Sequence, residues 1–330
     1  MAIKLVADWR EMYDRTISVL SGPDPIFYGR IGGSDTDMIV DYLEGVMAEE
    51  KGVALLERVR PHYRIIEEYN GYYDKDQDEQ NLIRFCEELL SSYRALVHAS
   101  LVGGKWLTRY FRDNINPQFW VEIGDQAGVY DHFLGLIANK NDDCFLYPFS
   151  FIEKTTSHHW SLFNAFREIL KDKKVLVISP FSKTIQDNFR NREHFFRDYE
   201  YPEFDLVTYN TPITYKGLPD DLYPHRNWFA TVEAMKGEIS KIDFDIALLS
   251  CGSYAMPLGD FICAGMNKKG LYVGGVLQLY FGIMGRRYAN PFFLNQINKE
   301  YFVQAEERGT YLKHISIAAN SAMEGFGAYL

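Results

Sequence analysis

Three stretches of the chain are apolar without alternation, and each runs straight into small residues. Lys174-Val175-Leu176-Val177-Ile178-Ser179 follows the charged corner Lys171-Asp172-Lys173. Phe244 to Ser250 reads Phe-Asp-Ile-Ala-Leu-Leu-Ser, and Leu271-Tyr272-Val273 follows the turn Lys268-Lys269-Gly270. Short continuous apolar runs are the pattern of strands covered on both faces, as in a parallel sheet. Helical stretches are expected between and after them: from Pro180-Phe181 through about Arg197, from the Cys251-Gly252-Ser253 turn through Asn267, and after Gly274-Gly275. Earlier in the chain, Val6 to Leu20 predicts a helix that ends at the Ser21-Gly22-Pro23-Asp24-Pro25 turn. Ile26-Phe27-Tyr28-Gly29-Arg30-Ile31 then reads as a short strand broken by Gly32-Gly33. A helix is expected from Ser34 to about Lys51, with Met38, Ile39, Tyr42, Leu43 and Val46 on one face. The stretch 52–170 reads as mostly helical, with loops at Asn70-Gly71, Gly103-Gly104 and Asn139 to Asp143.

This order predicts an α/β protein with a parallel-sheet, Rossmann-like core and a helical middle region. Two regions are expected: 1–170, an N-terminal βα unit plus the mostly helical part, and 171–330, a Rossmann-like nucleotide-binding part. The strand at 26–31 belongs either to the same sheet or to a facing one. No fixed-period repeat or Pro/Ser-rich linker separates the two regions.

Composition narrows the function classes. The 330 residues are 47% apolar and 24% charged, ordinary for a folded enzyme and too apolar for disorder. With 35 basic and 45 acidic residues the net charge is -10, which argues against a protein that coats nucleic acid by neutralising phosphates. One pocket on an acidic protein can still be basic. The start, MAIKLVADWREMYD, has no apolar core of a signal peptide, and Leu271 to Gly285 is too short and polar to span a bilayer. A cytoplasmic location without a membrane span is therefore expected. Cys86, Cys144, Cys251 and Cys263 make no CxxC pair, so they read as buried thiols rather than zinc ligands.

Four strand ends run into small residues and then a helix: Gly32-Gly33, Ser179-Pro180, Cys251-Gly252-Ser253 and Gly274-Gly275. Parallel sheets bind ligands at such carboxyl ends, and helix starts favour phosphate. Steric preference alone also places Gly and Ser in such turns. The set Arg30, Gly32, Gly33, Ser179, Gly252, Ser253, Gly274, Gly275 and Gln278 is the candidate cradle for a nucleotide. Named phosphate motifs are absent: Gly29, Gly32 and Gly33 do not make GxGxxG, and Gly104-Lys105 lacks the rest of a P-loop. Cys251-Gly252-Ser253-Tyr254 has the position of a nucleophile elbow but not its GxSxG pattern, so a Cys or Ser hydrolase using His158 or His159 is a weaker alternative. Asp35-Thr36-Asp37 is a DxD at a helix start that can hold Mg²⁺ or Mn²⁺ against a diphosphate. Ser34 and Asp37 also have capping-box spacing, which gives Asp37 a purely local reason to exist. Two further DxD runs, Asp74 to Asp78 and Asp243-Phe244-Asp245, read as an incomplete calcium-type loop and the solvated start of a strand. Glu153, near His158-His159-Trp160, is an acid that can serve as a base.

Several blocks resemble a largely uncharacterised family of bacterial surface-polysaccharide clusters and large algal viruses. They are Val175 to Phe181, Phe244 to Tyr254 with Pro257-Leu258, and Gly274 to Leu279 through Phe281 to Tyr288 with Arg286-Arg287, together with Glu153 and His159-Trp160. Arg30-Ile31-Gly32-Gly33-Ser34-Asp35 is similar to the Arg-x-Gly-x-x-acid opening of GT-D-type glycosyltransferases. Gly33 stands where that motif has its first acid, and Asp35 takes the place of its last. The resemblance implies transfer of a sugar from a nucleoside-diphosphate donor to a glycan or lipid-linked acceptor. In that scheme Asp35, with or without Asp37, holds a divalent metal or the donor, and Arg30 offsets leaving-group charge. Glu153 or Asp125 would deprotonate the acceptor. A non-catalytic sugar-nucleotide or glycan-binding protein of polysaccharide assembly is the alternative.

Overall fold

The two central apolar runs become strands because a parallel sheet covered on both faces needs apolar side chains at every position. Alternate residues go to opposite cores. Leu176, Ile178, Ala247 and Leu249 enter one apolar cluster, while Val175, Val177, Ile246 and Leu248 enter the other. The structure, a computed structural model, describes residues 4–5, 9–31, 33–67, 71–94, 98–101, 132–133, 135–136, 145–148, 161–285 and 294–309. Its strands are β1 (Lys4–Leu5), β2 (Phe27–Ile31), β3 (His98–Leu101), β4 (Phe145–Pro148), β5 (Lys174–Ser179), β6 (Asp205–Asn210), β7 (Ile246–Leu249) and β8 (Lys269–Tyr272). They form one sheet in the order β1-β4-β3-β2-β8-β7-β5-β6, and every described pairing is parallel. The 26–31 strand thus lies in the same sheet, between β3 and β8.

Helices cover both faces. On the first lie α2 (Gly33–Met47), α3 (Val53–Ile65), α4 (Gln80–Tyr93), α7 (Trp228–Ile239) and α8 (Ala255–Asp260), packed through residues such as Met38, Val59, Phe85, Trp228 and Met256. On the second lie α1 (Trp9–Ser21), α5 (Ser161–Ile169), α6 (Ser182–Asn188) and α9 (Leu277–Tyr280), through Leu20, Phe166, Ile185 and Leu279. The α8 helix comes close enough to the sheet that a Cβ on Gly259 would collide with the Phe27 ring.

Several expectations change. The stretch 52–170 contains the strands β3 and β4, and 205–210 is the edge strand β6. The first helix is described over Trp9–Ser21, the expected start at Val6 lying outside the described residues, and the second ends at Met47 rather than Lys51. The helix expected through Arg197 stops at Asn188 and continues as a 3₁₀ segment, Phe189–His194. At that point the Asn188 side-chain amide donates to the carbonyls of Phe281, Gly282 and Tyr301, a tertiary demand that outranks helix continuation. The helix expected through Asn267 passes into a π turn at Phe261–Gly265, and the one after Gly274-Gly275 is a single turn.

The last described segment, 294–309, folds back over the second face. Val303 donates to the Gly282 carbonyl and its own carbonyl accepts from Met284. The Glu307 carboxylate then accepts from the backbone N–H of Lys183 at 2.9 Å and of Thr184 at 3.1 Å, and from the Thr184 hydroxyl at 2.5 Å. These N–H groups open α6 and have no intrahelical partner, so an acid from elsewhere in the chain satisfies them. Glu306 adds an exposed ion pair to Lys183 at 2.8 Å. Glu307→Ala should cost about 1–3 kcal/mol of stability, the scale of charge-assisted bonds to a helix start. Glu306→Ala should cost much less, as exposed ion pairs do. Denaturant melts of the two variants check this ordering, and equal losses would contradict it.

Candidate functional site

The centre of the sheet splits at its carboxyl end. β2 and β8 pair only at Phe27↔Gly270 and Tyr28↔Leu271, whereas β2 stays paired to β3 as far as Ile31↔Leu101. β8 meanwhile remains on β7, with the Val273 N–H donating to the Leu249 carbonyl. The helices that follow the two strands leave to opposite faces, α2 to the first and α9 to the second. A crevice where connections diverge beyond the carboxyl ends is where open parallel sheets take ligands.

Arg30 occupies this split. Its side chain is buried, its guanidinium lies 5.6 Å from the Tyr272 ring centroid, and it packs on Gly274 so closely that a Cβ there would collide with Nη1. Gly274 also has φ +71°, a conformation that glycine adopts without strain. The Tyr272 hydroxyl reaches the Gly252 carbonyl at 3.4 Å, which ties the β8 turn to the β7 turn. The structure therefore brings together Arg30, Gly252 and Gly274 from three of the four expected turns.

Asp35 completes the group. It is buried in the first turn of α2, and burial pushes its carboxyl up to about 6, against the smaller pull of the Arg30 guanidinium and of its own backbone N–H. Asp37 adds a minor push in the same direction. Because α2 begins at Gly33, Ser34 sits inside the first turn and not at the cap that the capping-box reading requires. Asp35 is the first-turn acid, and so it too has a local helical role.

The helix also turns the two acids apart. Residues two apart on an α-helix point about 200° from each other and do not share a face. Among the described residues no group of three or more His, Cys, Asp or Glu side chains could hold a metal ion. From α2 alone, Asp35 and Asp37 thus do not converge on one ion.

Other predicted residues have definite local roles. The Ser179 hydroxyl accepts from the Phe181 N–H at 3.2 Å, and the α6 start beyond it is filled by Glu307. Ser253 Oγ accepts from the Trp228 indole at 2.9 Å. Gln278 is buried beside the Gly274-Gly275 turn, and its Oε1 accepts no bond from the described residues. Burial drives the Cys251 thiol well above its ordinary value, the wrong direction for a nucleophile. Gly32, Asp125, Glu153, His158, His159, Trp160, Arg286 and Arg287 lie outside the described residues. Sequence reading missed Tyr272 as the ring under Arg30 and Glu307 as the acid at α6. Neither sits in a motif, and both act through tertiary contact.

Fold and turn geometry together define a parallel α/β protein with a buried arginine and a buried acid at the split in the centre of its sheet. No helix among the described residues is long and apolar enough to cross a membrane. No family model matches the chain, and no curated protein does. Among solved structures it is similar to "A New Glycosyltransferase (DUF1792) from Streptococcus sanguinis", with 10% identity over 94% of this chain and 97% of that one. The TM-score is 0.42, below the level that marks a common fold.

The Asp35 shift has a signed consequence. Below the unfolded value of 3.8 the carboxyl is protonated in both states. As pH rises toward the folded value of about 6, the unfolded chain releases its proton first, so this group's contribution to stability falls, and it is fully lost above that value. The stability of the wild type relative to Asp35→Asn should therefore decline across this window. Melting curves of both proteins over that pH range measure the slope, and a rise instead of a decline would contradict the assigned environment.

Proposed function

We propose that this chain is a glycosyltransferase that moves a sugar from a nucleoside-diphosphate donor to a glycan or lipid-linked acceptor. The observation that carries the reading is the Arg30 guanidinium seated on Gly274, with buried Asp35 beside it, in the split between β2 and β8. A buried cation held against a glycine turn at the carboxyl end of a parallel sheet suits a diphosphate. The glycine lets the guanidinium approach the backbone, and the guanidinium offers paired donors to a phosphate. Burial of Asp35 works against folding at neutral pH, which is the mark of a group kept for binding or chemistry. Gln278 Oε1, which accepts no bond from the described residues, is a buried acceptor of the kind that a ligand N–H or O–H would satisfy. The similarity of Arg30 to Asp35 to the GT-D-type opening supports the same reading.

In this scheme the diphosphate lies along Gly274-Gly275, with Gly32-Gly33 and Gly252 as further close-approach points. Arg30 offsets the charge that develops on the leaving diphosphate as its bond to the anomeric carbon breaks. Asp35, ionised above about pH 6, accepts hydrogen bonds from the donor and orients Arg30. The acceptor oxygen forms the new glycosidic bond, and its proton passes to a carboxylate, for which Glu153 and Asp125 are the sequence candidates. Such a base contributes about 10²–10⁴-fold in rate. No step is routed through a metal.

Nucleoside diphosphates should raise the melting temperature, equivalent to about 2.7 kcal/mol at 100-fold over the dissociation constant. Gly274→Ala, which strains the turn and displaces Arg30, should abolish that gain in a folded protein, and Asp35→Asn should nearly eliminate donor turnover. Thermal-shift titrations and donor-hydrolysis assays read both effects. If no nucleoside diphosphate stabilises the wild type, the reading falls.

A further inference from the structure

A second concavity lies on the first face of the sheet. α3, the 71–79 loop and the start of α4 enclose a cavity of about 380 Å³ that also reaches Lys216. This is within the range of roughly 300–1,000 Å³ typical of small-molecule clefts. Its walls include the Tyr63 and Tyr72 rings, whose centroids are 6.0 Å apart and nearly perpendicular, with Glu67, Asp74 and Gln77 around them.

The charges select the ligand class. Four acids line the cavity against two bases, Arg60 and Lys216. Both bases are already paired, Lys216 with Glu67 at 2.6 Å and Arg60 with Glu79 at 2.5 Å. A phosphate would meet net negative charge here, so the cavity is not a second diphosphate site. The half-buried Tyr63 ring, with carboxylate and amide acceptors at its edge, matches a neutral, hydroxyl-rich ring: the apolar C–H face packs on tyrosine and the hydroxyls donate to the acids.

The cavity is physically joined to the turns of the central crevice. Tyr72 packs on Trp228 at 6.3 Å between centroids, and Trp228 stacks on Tyr254 at 5.9 Å while donating to Ser253 Oγ. Thr214 bonds both the Gly71 carbonyl and the Tyr254 hydroxyl, which fixes the 71–79 loop to the turn after β7. We propose that this cavity is a subsite for a neutral sugar unit of the acceptor glycan. The proposal rests on the glycosyl-transfer reading above and assigns the acceptor to the α3–α4 side of the molecule, apart from the donor at Gly274.

Saturation-transfer NMR with the methyl glycosides of glucose, galactose, mannose and N-acetylglucosamine, each as a separate probe, tests it on the full chain. At least one glycoside should show transfer from the wild type. Tyr63→Leu, which removes one ring face, should weaken that binding about tenfold, the scale of losing an aromatic platform. Gln77→Trp, at an exposed position on the cavity rim, should block it without touching the interior, so a misfolded Tyr63 variant does not decide the outcome. Asp35→Asn should leave glycoside binding in place. Absence of transfer from all four probes, or transfer that persists in both cavity variants, overturns the proposal. Nucleotide titrations on the same samples keep the two readings apart. Diphosphate binding without glycoside binding sinks the subsite alone, and glycoside binding without diphosphate binding sinks the donor reading alone.

Discussion

Burial of an acid and a guanidinium at one split in the sheet is the constraint around which this molecule is arranged. Two charges taken out of water are tolerated only where geometry supplies compensation. Here β2 parts from β8 after two residue pairs, α2 begins early enough to place Asp35 in its first turn, and Gly274 lacks the side chain that would evict Arg30.

The remainder of the fold supplies the stability that this arrangement withholds. Both sheet faces are covered, and the two apolar clusters share the alternating residues of β5 and β7, so each strand anchors helices on both sides. Tyrosine hydroxyls buried on the second face find partners: Tyr199 and Tyr201 reach the carbonyls of Phe163 and Tyr280. Lys269 donates to the carbonyls of Leu20 and Gly22 at the end of α1. These hydroxyl and ammonium groups are thus satisfied by the chain itself, whereas Gln278 Oε1 and Thr211 Oγ1, near the carboxyl ends of the strands, accept no bond from the described residues.

Elements buried on both faces were legible in the sequence, because β5 carries an apolar run over Val175–Ile178 and β7 over Ile246–Leu249. β6 escaped notice because it is an edge strand with partly exposed residues throughout, and Asp-Leu-Val-Thr-Tyr-Asn has no apolar run. β3 and β4 are four residues each, and β4 ends in Pro148, so neither produces a periodic signal. Within the site, Arg30, Asp35 and Gly274 were each legible as residues of a strand-to-helix turn. Their meeting was not, since periodicity carries no information about which strands are neighbours. The capping-box reading of Ser34 and Asp37 takes Ser34 as the cap, whereas α2 begins at Gly33 and Asp35 is its first-turn acid.

The position of β8 has a consequence for how the polypeptide is made. The strand that fills the gap between β2 and β7 belongs to the last third of the chain, so the middle of the sheet is the part assembled last. Until residues 269–272 leave the ribosome, β2 and β7 both present open hydrogen-bonding edges with apolar residues on either side, the kind of surface that recruits other chains. Long-range parallel pairing of this sort is slow, because loop closure precedes any reward. The nascent protein therefore passes through an interval in which β2 and β7 lack the strand that joins them. The cleft that would receive a ligand does not exist until that strand is in place.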